Sequence, residues 1–126
     1  KKFLGTEFCI GLVAKYQGKV IGFLFYQVCK EELGLVNIAV LPCYRGHKVG
    51  TQLVQRLIDR LPIHHRQRIS LAVRETNLPA QLLFKHTGFL ARKKVIRKYY
   101  EDTGESAYVF DYDIAFHQTH RIPIKG

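Results

Sequence analysis

At 126 residues the chain is long enough for one domain that buries roughly two-thirds of its extended surface without covalent staples. Hydrophobic residues make up 47% and charged residues 24%, the content of an ordinary globule; no apolar run approaches the ~20 residues that would span a bilayer, and no signal-peptide pattern opens the chain. Twenty Lys and Arg against ten Asp and Glu give a net charge of +10, which favours an acidic partner: a polyphosphate, a nucleic acid or an acidic peptide.

Cys9, Cys29 and Cys43 have neither paired nor metal-like spacing, and an odd count without CxxC predicts a reducing compartment, the cytoplasm. No methionine occurs, so the chain is expected to be a processed or truncated piece of something longer. Along the chain, CIGLVAKY and KVIGFLFYQV are β-branched and aromatic runs joined at Gln17-Gly18, which predicts an antiparallel hairpin. Leu35 to Pro42, LVNIAVLP, is nearly continuous in apolar residues and predicts a strand covered on both faces and stopped by Pro42. From Val49 the apolar positions become Val49, Leu53, Val54, Leu57, Ile58 and Leu61, one stripe of an amphipathic helix. After the polar PIHHRQ, RISLAVR alternates, with Ile69, Leu71 and Val73 on one face and Ser70, Ala72 and Arg74 on the other. TNLPAQLLFKHTGF predicts a short helix with Asn77 as N-cap, Pro79 in the first turn and Gly88 at a left-handed C-terminus. FLARKKVIRKYY and SAYVFDYDIAF predict two more strands around EDTGE, and the last stretch, HQTHRIPIKG (117–126), predicts a loose tail. The order ββ-β-α-β-α-ββ predicts an α/β fold, a mixed sheet with helices on its faces, in a single domain spanning 1–126.

The junction VLPCYRGHKVG joins a strand directly to a helix through Arg45, Gly46, His47, Lys48 and Gly50. Gly46 and Gly50 allow a tight turn and close approach to a ligand, while the first amides of the helix and its positive dipole end converge on one point. That is a backbone prepared to hold an anion. A Walker A loop is excluded because no Gly-Lys-Ser/Thr is present, and a dinucleotide fingerprint because GxGxxG is absent. A tight structural turn would use the same two glycines.

The wider context resembles a known family. NIAVLPCYRGHKVGTQLVQRLI is similar to the acetyl-CoA-binding segment of the GNAT N-acetyltransferases, in which a strand ends in a Pro-x-Tyr-Arg-type turn and a Gln/Arg-x-x-Gly-x-Gly/Ala loop holds the pyrophosphate. Arg45 takes the first motif position and Gly50 the last; Lys48 replaces the middle glycine, a departure that implies a strained backbone or a shifted pyrophosphate beside an added ammonium. LAVRETNLPAQLLFKHTGF resembles the family's strand, Asn-capped helix and Gly-Phe ending. RKYYEDTGESAYVFDYDI resembles the closing hairpin of the bacterial ribosomal-protein-alanine N-acetyltransferases and of eukaryotic N-terminal acetyltransferases. The resemblance covers about residues 8–114. It implies a mostly antiparallel mixed sheet flanked by helices, with acetyl-CoA as co-substrate and no metal. The acceptor would be a protein or peptide N-terminus, a ribosomal protein among the candidates. In the same terms Arg45, Gly46, His47, Lys48, Val49, Gly50 and Thr51 would hold the pyrophosphate. The backbone of Ile38, Ala39 and Val40 would pair with the pantetheine and aim an N–H at the thioester oxygen, Asn77 would contact the pantetheine arm, and Tyr99 and Tyr100 would line the peptide groove. The family's first strand and following helices have no counterpart before FLGTEFCIGL and are expected to be truncated or supplied by another chain.

The catalytic positions depart from the family. Relatives that acetylate alanine carry an acidic residue or histidine at the position of Ala72 as base and a tyrosine at that of Phe84 as acid; neither residue here can carry a proton. Direct attack of the amine on the thioester needs mainly proximity and an oxyanion-stabilising amide, so slow turnover is expected to survive. His86 is two residues from Phe84 and faces elsewhere on the helix, His64 and His65 have no carboxylate near in sequence for a metal site, and Cys43 has no role in this chemistry. Two other readings stay open. Arg60, Arg66 and Arg68, with Arg92, Lys93, Lys94, Arg97 and Lys98, form two basic clusters near tyrosines, as a nucleic-acid-binding module would. Ala72 and Phe84 would equally suit a relative that binds CoA without turning it over.

Overall fold

The computed structural model describes residues 9–100 and 105–120, without the side chains of 93–100, 105 and 118–120. The hairpin falls where the sequence puts it: β1 (Cys9–Tyr16) and β2 (Lys19–Val28) pair antiparallel around Gln17 and Gly18. Both turn residues have positive φ, 51° and 79°, the backbone twist that a two-residue hairpin needs. Then follow β3 (Leu33–Val40), a 3-10 turn (Pro42–Tyr44), α1 (Val49–Asp59), β4 (Arg68–Arg74), α2 (Leu78–His86), β5 (Leu90–Tyr100), β6 (Glu105–Asp113) and α3 (Ile114–His120).

The strands form one six-stranded sheet in the order β1-β2-β3-β4-β6-β5. Every pairing is antiparallel except β3 with β4, the two strands that α1 connects. This is the mixed, mostly antiparallel sheet expected. Its described helices lie against one face. On that face Leu24 and Tyr26 of β2, Leu33 of β3, and Ile69, Leu71 and Val73 of β4 meet the α1 stripe Val49, Leu53, Val54 and Leu57. Phe84 of α2 joins them, its ring 5.4 Å from that of Phe89 and 6.3 Å from that of Phe110. At about 1.5–3 kcal/mol per fully buried aliphatic, the α1 stripe alone is enough to dock that helix.

Three expectations are corrected. The apolar run of β3 is covered on one side only: Val36 is 54% exposed and Ala39 is also exposed, while Ile38 and Val40 pack on the core. An apolar sequence does not by itself require two covered faces when the residues on one of them are small or β-branched. Residues 114–116, expected in the last strand, begin α3, and residues 117–120 continue it rather than forming a loose tail; 121–126 lie outside the described residues. Asp113 Oδ1 accepts from the Ala115 amide at 2.9 Å, an Asx cap that diverts the chain from strand to helix. His117 then stacks on Tyr112 at 4.3 Å and bonds the Gly88 carbonyl, which holds the helix to the sheet.

Candidate active site

The parallel pair β3–β4 is short. Leu33 opposes Ile69 and Gly34 opposes Ser70, and beyond these the two strands part. Their separation opens a cleft of about 180 Å³ between Leu35, Asn37 and Ile38 on one side and Ala72, Val73 and Arg74 on the other, closed behind by Asn77 and Phe84. A bulge contributes to the opening: Phe25 opposes Asn37 and Tyr26 opposes Leu35, so Val36 is one residue too many for its partner strand.

The parting leaves backbone groups of β3 without a ladder. The Leu41 amide donates to the Ile21 carbonyl of β2 at 2.9 Å. Amide directions alternate along a strand, so Ala39 also turns to β2, whereas Ile38 and Val40 turn their amides to the open β4 side. Of the three residues expected to meet the pantetheine, Ile38 lines the cleft and Val40 turns its amide to the same side, whereas the Ala39 amide turns to β2. Arg45 reaches back along the same side, its Nε donating to the Val40 carbonyl at 3.1 Å.

The loop that follows ends in two left-handed residues, Gly46 at φ 84° and Lys48 at φ 65°, ψ 21°. Gly46 adopts this without cost; Lys48, the departure from the glycine pattern, sits in the strained conformation expected of it. Gly50 does not make the turn. It lies inside the first turn of α1, where an added Cβ would lie 3.5 Å from Leu83 Cδ2 and 4.0 Å from Val40 Cγ2. The helix thus begins between the end of β3 and α2, two elements whose neighbouring residues Ile38, Ala80 and Phe84 line the cleft. Its first intrahelical bond runs from the Gln52 amide to the Lys48 carbonyl at 3.0 Å, so the amides of Val49, Gly50 and Thr51 precede the ladder. No acidic residue stands in the first turn, and His47 and Lys48 are exposed beside it. A cation-flanked cluster of free amides at a positive dipole end is a place for a phosphate group.

Asn77 caps α2, its Oδ1 accepting from the Ala80 amide at 3.2 Å, and borders the cleft at the same time. Gln81 fastens this corner by donating to the carbonyls of Arg74 and Glu75 at 3.2 and 3.1 Å. Ala72 lies half-buried on the cleft wall, and Phe84 is 2% exposed, shared between cleft and core. Neither offers a titratable atom. Tyr99 and Tyr100 occupy the end of β5, and their side chains lie outside the described residues. His86 and Cys43 are exposed.

Asn37 and Arg74 border the cleft without having been singled out in the sequence. Only the short parallel register of β3 and β4 brings them there, and nothing local in either strand announces it. The first basic cluster is largely engaged within the fold: Arg66 donates to the carbonyls of Cys29 and His64, and Arg68 pairs with Glu32 at 3.2 Å. In the second, Arg92 pairs with Asp111 at 2.6 Å, while the side chains of Lys93, Lys94, Arg97 and Lys98 lie outside the described residues.

Comparison with known proteins points to one family. The model of the family described as "Acetyltransferase (GNAT) family" matches residues 2–89. The N-alpha-acetyltransferase of Sulfurisphaera tokodaii is 33% identical over 110 residues, covering 77% of this chain and 65% of that protein. The ribosomal protein bS18-alanine N-acetyltransferase of Escherichia coli K12 is 36% identical over 86 residues, covering 68% of this chain and 57% of that protein. The crystal structure of the Escherichia coli ribosomal-protein-S18-alanine N-acetyltransferase matches with a TM-score of 0.75 at 31% identity, over 84% of this chain and 69% of that one. The chain therefore spans between 57% and 65% of the length of the two curated relatives.

Proposed function

The chain belongs to the acetyltransferase (GNAT) family, and from that premise we propose that it binds acetyl-CoA in the β3–β4 cleft and transfers the acetyl group to the N-terminal amine of a protein. The observation that carries the reading is the divergence of β3 from β4. It frees the amides of Ile38 and Val40 on the side of a slot lined by both polar and apolar residues, with the amide cluster of α1 at the end of the same strand. The residues present fit the co-substrate: Val49, Gly50 and Thr51 offer N–H groups to a pyrophosphate, with His47 and Lys48 beside them. Asn77 keeps its side-chain amide N–H groups for a pantetheine carbonyl, since its Oδ1 is engaged by the cap.

When bound, acetyl-CoA supplies an activated thioester and a thiolate leaving group. The chain's own contribution is positional. The free N–H groups of Ile38 and Val40 are placed to pair with the arm and to stabilise charge on the carbonyl oxygen. The slot between Ile38 and Val73 would hold the reacting end in place beside those amides. With Ala72 and Phe84 in place, the ammonium acceptor loses its proton to water, and the departing thiolate leaves without assistance from either residue. The N-terminal amine is the favoured acceptor because both curated relatives described above are named for acetylating one, and a ribosomal-protein N-terminus beginning with alanine is the first to test. We place this activity in the cytoplasm as part of the same proposal.

A peptide of that kind, incubated with the chain and acetyl-CoA, should gain one acetyl group at its α-amine in a mass spectrum. Calorimetric binding of acetyl-CoA with no product over prolonged incubation would instead identify a relative that binds CoA without turnover. The buried, hydroxyl-free Phe84 is the observation favouring that second reading.

A further inference from the structure

The cleft between β3 and β4 has a direction and a length, and both bear on what fits it. α1 starts beyond the end of β3, so a ligand with its phosphates on the amides of Val49, Gly50 and Thr51 passes Val40 first and Ile38 next. The lining does not stop there. It continues past Ile38 to Val36 and Leu35 on β3, and past Ala72 to Leu71 on β4, toward the point where Gly34 meets Ser70 and the strands close. Leu35 is three residues below Ile38, up to about 10 Å of strand at ~3.3 Å per residue. An acetyl group carried at Ile38 is shorter than one such step, so most of the closed end lies beyond its reach.

The closed end also differs in chemistry from the mouth. Of the polar side chains in the lining, Arg74 ends β4, Asn77 caps α2, and Asn37 adjoins Ile38. Below them Leu35, Val36, Leu71 and Ala72 are aliphatic. Phe84 reaches the same depth, its ring 6.3 Å from that of Phe110, the cross-strand partner of Leu71. Leu71 and Phe84 are buried and Leu35 is half-buried against the core, on the face that α1 and α2 cover. Ala72 contributes only a methyl. Resting on the acetyl-CoA reading above, we propose that this closed end takes an acyl chain longer than acetyl, and that the protein transfers short straight-chain acyl groups such as butyryl from their CoA thioesters to the same amine. The acyl carbons continue the line of the arm along the strands, so they meet the closed end before an acceptor side chain does. The reaction is unchanged in kind. The acceptor ammonium gives one proton to water, and its nitrogen then bonds the acyl carbon. The C–S bond breaks with its electron pair on the CoA thiolate, and water takes the second proton from nitrogen.

Calorimetric titration of the full chain with CoA, acetyl-CoA and butyryl-CoA tests this, with mass spectra of the alanine-led peptide as a second readout. Butyryl adds two methylenes; buried on those side chains, beside backbone edges that reduce the gain, they should tighten binding at least ~4-fold over acetyl-CoA. The peptide should gain a butyryl group. Ala72→Leu fills the closed end, so the butyryl advantage should vanish while the Kd for CoA itself stays within about two-fold of parental. Leu35→Ala, at a half-buried position, deepens the same end and should extend the advantage to hexanoyl-CoA. Butyryl-CoA binding no tighter than acetyl-CoA, or an advantage that neither folded variant alters, would overturn the proposal and leave the acetyl-CoA reading standing. So would a peptide that gains acetyl and never butyryl. A folded chain that binds neither CoA nor either thioester would overturn both.

Discussion

Replacing Lys48 with glycine should move stability and cofactor affinity in opposite directions. Lys48 is the residue just before α1 and is held at φ 65°, ψ 21°. A side chain in that conformation costs roughly 1–2 kcal/mol, which glycine avoids. Glycine also loosens the unfolded chain, at a cost of about 0.4–1 kcal/mol. The net expectation for K48G is a gain of about 0.5–1 kcal/mol, which raises Tm by roughly 2–5 °C for a domain of this size. The same change removes an exposed ammonium from the start of α1, where the pyrophosphate is proposed to sit. A solvent-screened charge of that kind is worth about 0.5–1 kcal/mol, so the Kd for acetyl-CoA should rise about two- to five-fold. Thermal melts and calorimetry on one preparation read both numbers. A Tm at or below that of the parent would show that Lys48 is not strained; an unaltered Kd would show that its charge does not act on the cofactor.

Further outcomes follow from the same geometry. Gly50→Leu should place a side chain between Leu83, Val40 and the ligand, and the folded variant should lose acetyl-CoA binding by at least ~10-fold; parental affinity would remove the α1 amides from the site. The double change Ala72→Glu with Phe84→Tyr restores a base and an acid on the cleft wall. It should raise kcat at least ~10-fold on an N-terminal peptide, with acetyl-CoA affinity unaffected; no gain in a folded, binding variant would place the proton route elsewhere. Gly88→Ala puts a methyl at φ 103° within 3.0 Å of His117 Cε1 and 3.2 Å of Tyr112 Cε2, and should cost roughly 1–3 kcal/mol in a urea melt. Burial, aided by Arg60, Arg66 and His65, holds the His64 ring below its ordinary value of 6.5, where it bonds the Tyr26 hydroxyl at 2.9 Å. The unfolded chain then takes up that proton first, so the contribution to stability is present above pH 6.5 and is lost as pH falls through the lowered value. The urea midpoint should drop between pH 7.5 and 5.5, and His64→Gln should flatten that drop; an equal drop in the variant would assign it to other groups.

What could be read from the sequence was what depends on local pattern. The alternation of RISLAVR, the stripe from Val49 to Leu61, the Asn77 cap and the Gln17-Gly18 turn each follow from side chains within a few residues of one another, and each holds in the structure. The cleft depends on where β3 stops pairing with β4, a contact between residues 36 positions apart in sequence that leaves no periodic trace. For the same reason Arg74 and Asn37 went unmarked, and the inward turn of the Ala39 amide could not be distinguished from the outward turn of its neighbours. The helix over 114–120 was hidden by the aromatic run before it; what ends the strand is one Asp113 side chain capping the Ala115 amide. Lys48 was legible as a departure only through the resemblance to a family loop that carries glycine there, and its left-handed backbone gives that departure a physical meaning.

The most direct measurement of the central claim is a calorimetric titration of the chain with acetyl-CoA. The account predicts saturable binding with one molecule per chain, abolished in the folded Gly50→Leu variant and weakened when the pyrophosphate is removed from the ligand. No heat of binding from a folded chain, or binding equal for acetyl-pantetheine and acetyl-CoA, would contradict the assignment of the α1 amides and the cleft between β3 and β4 as the cofactor site.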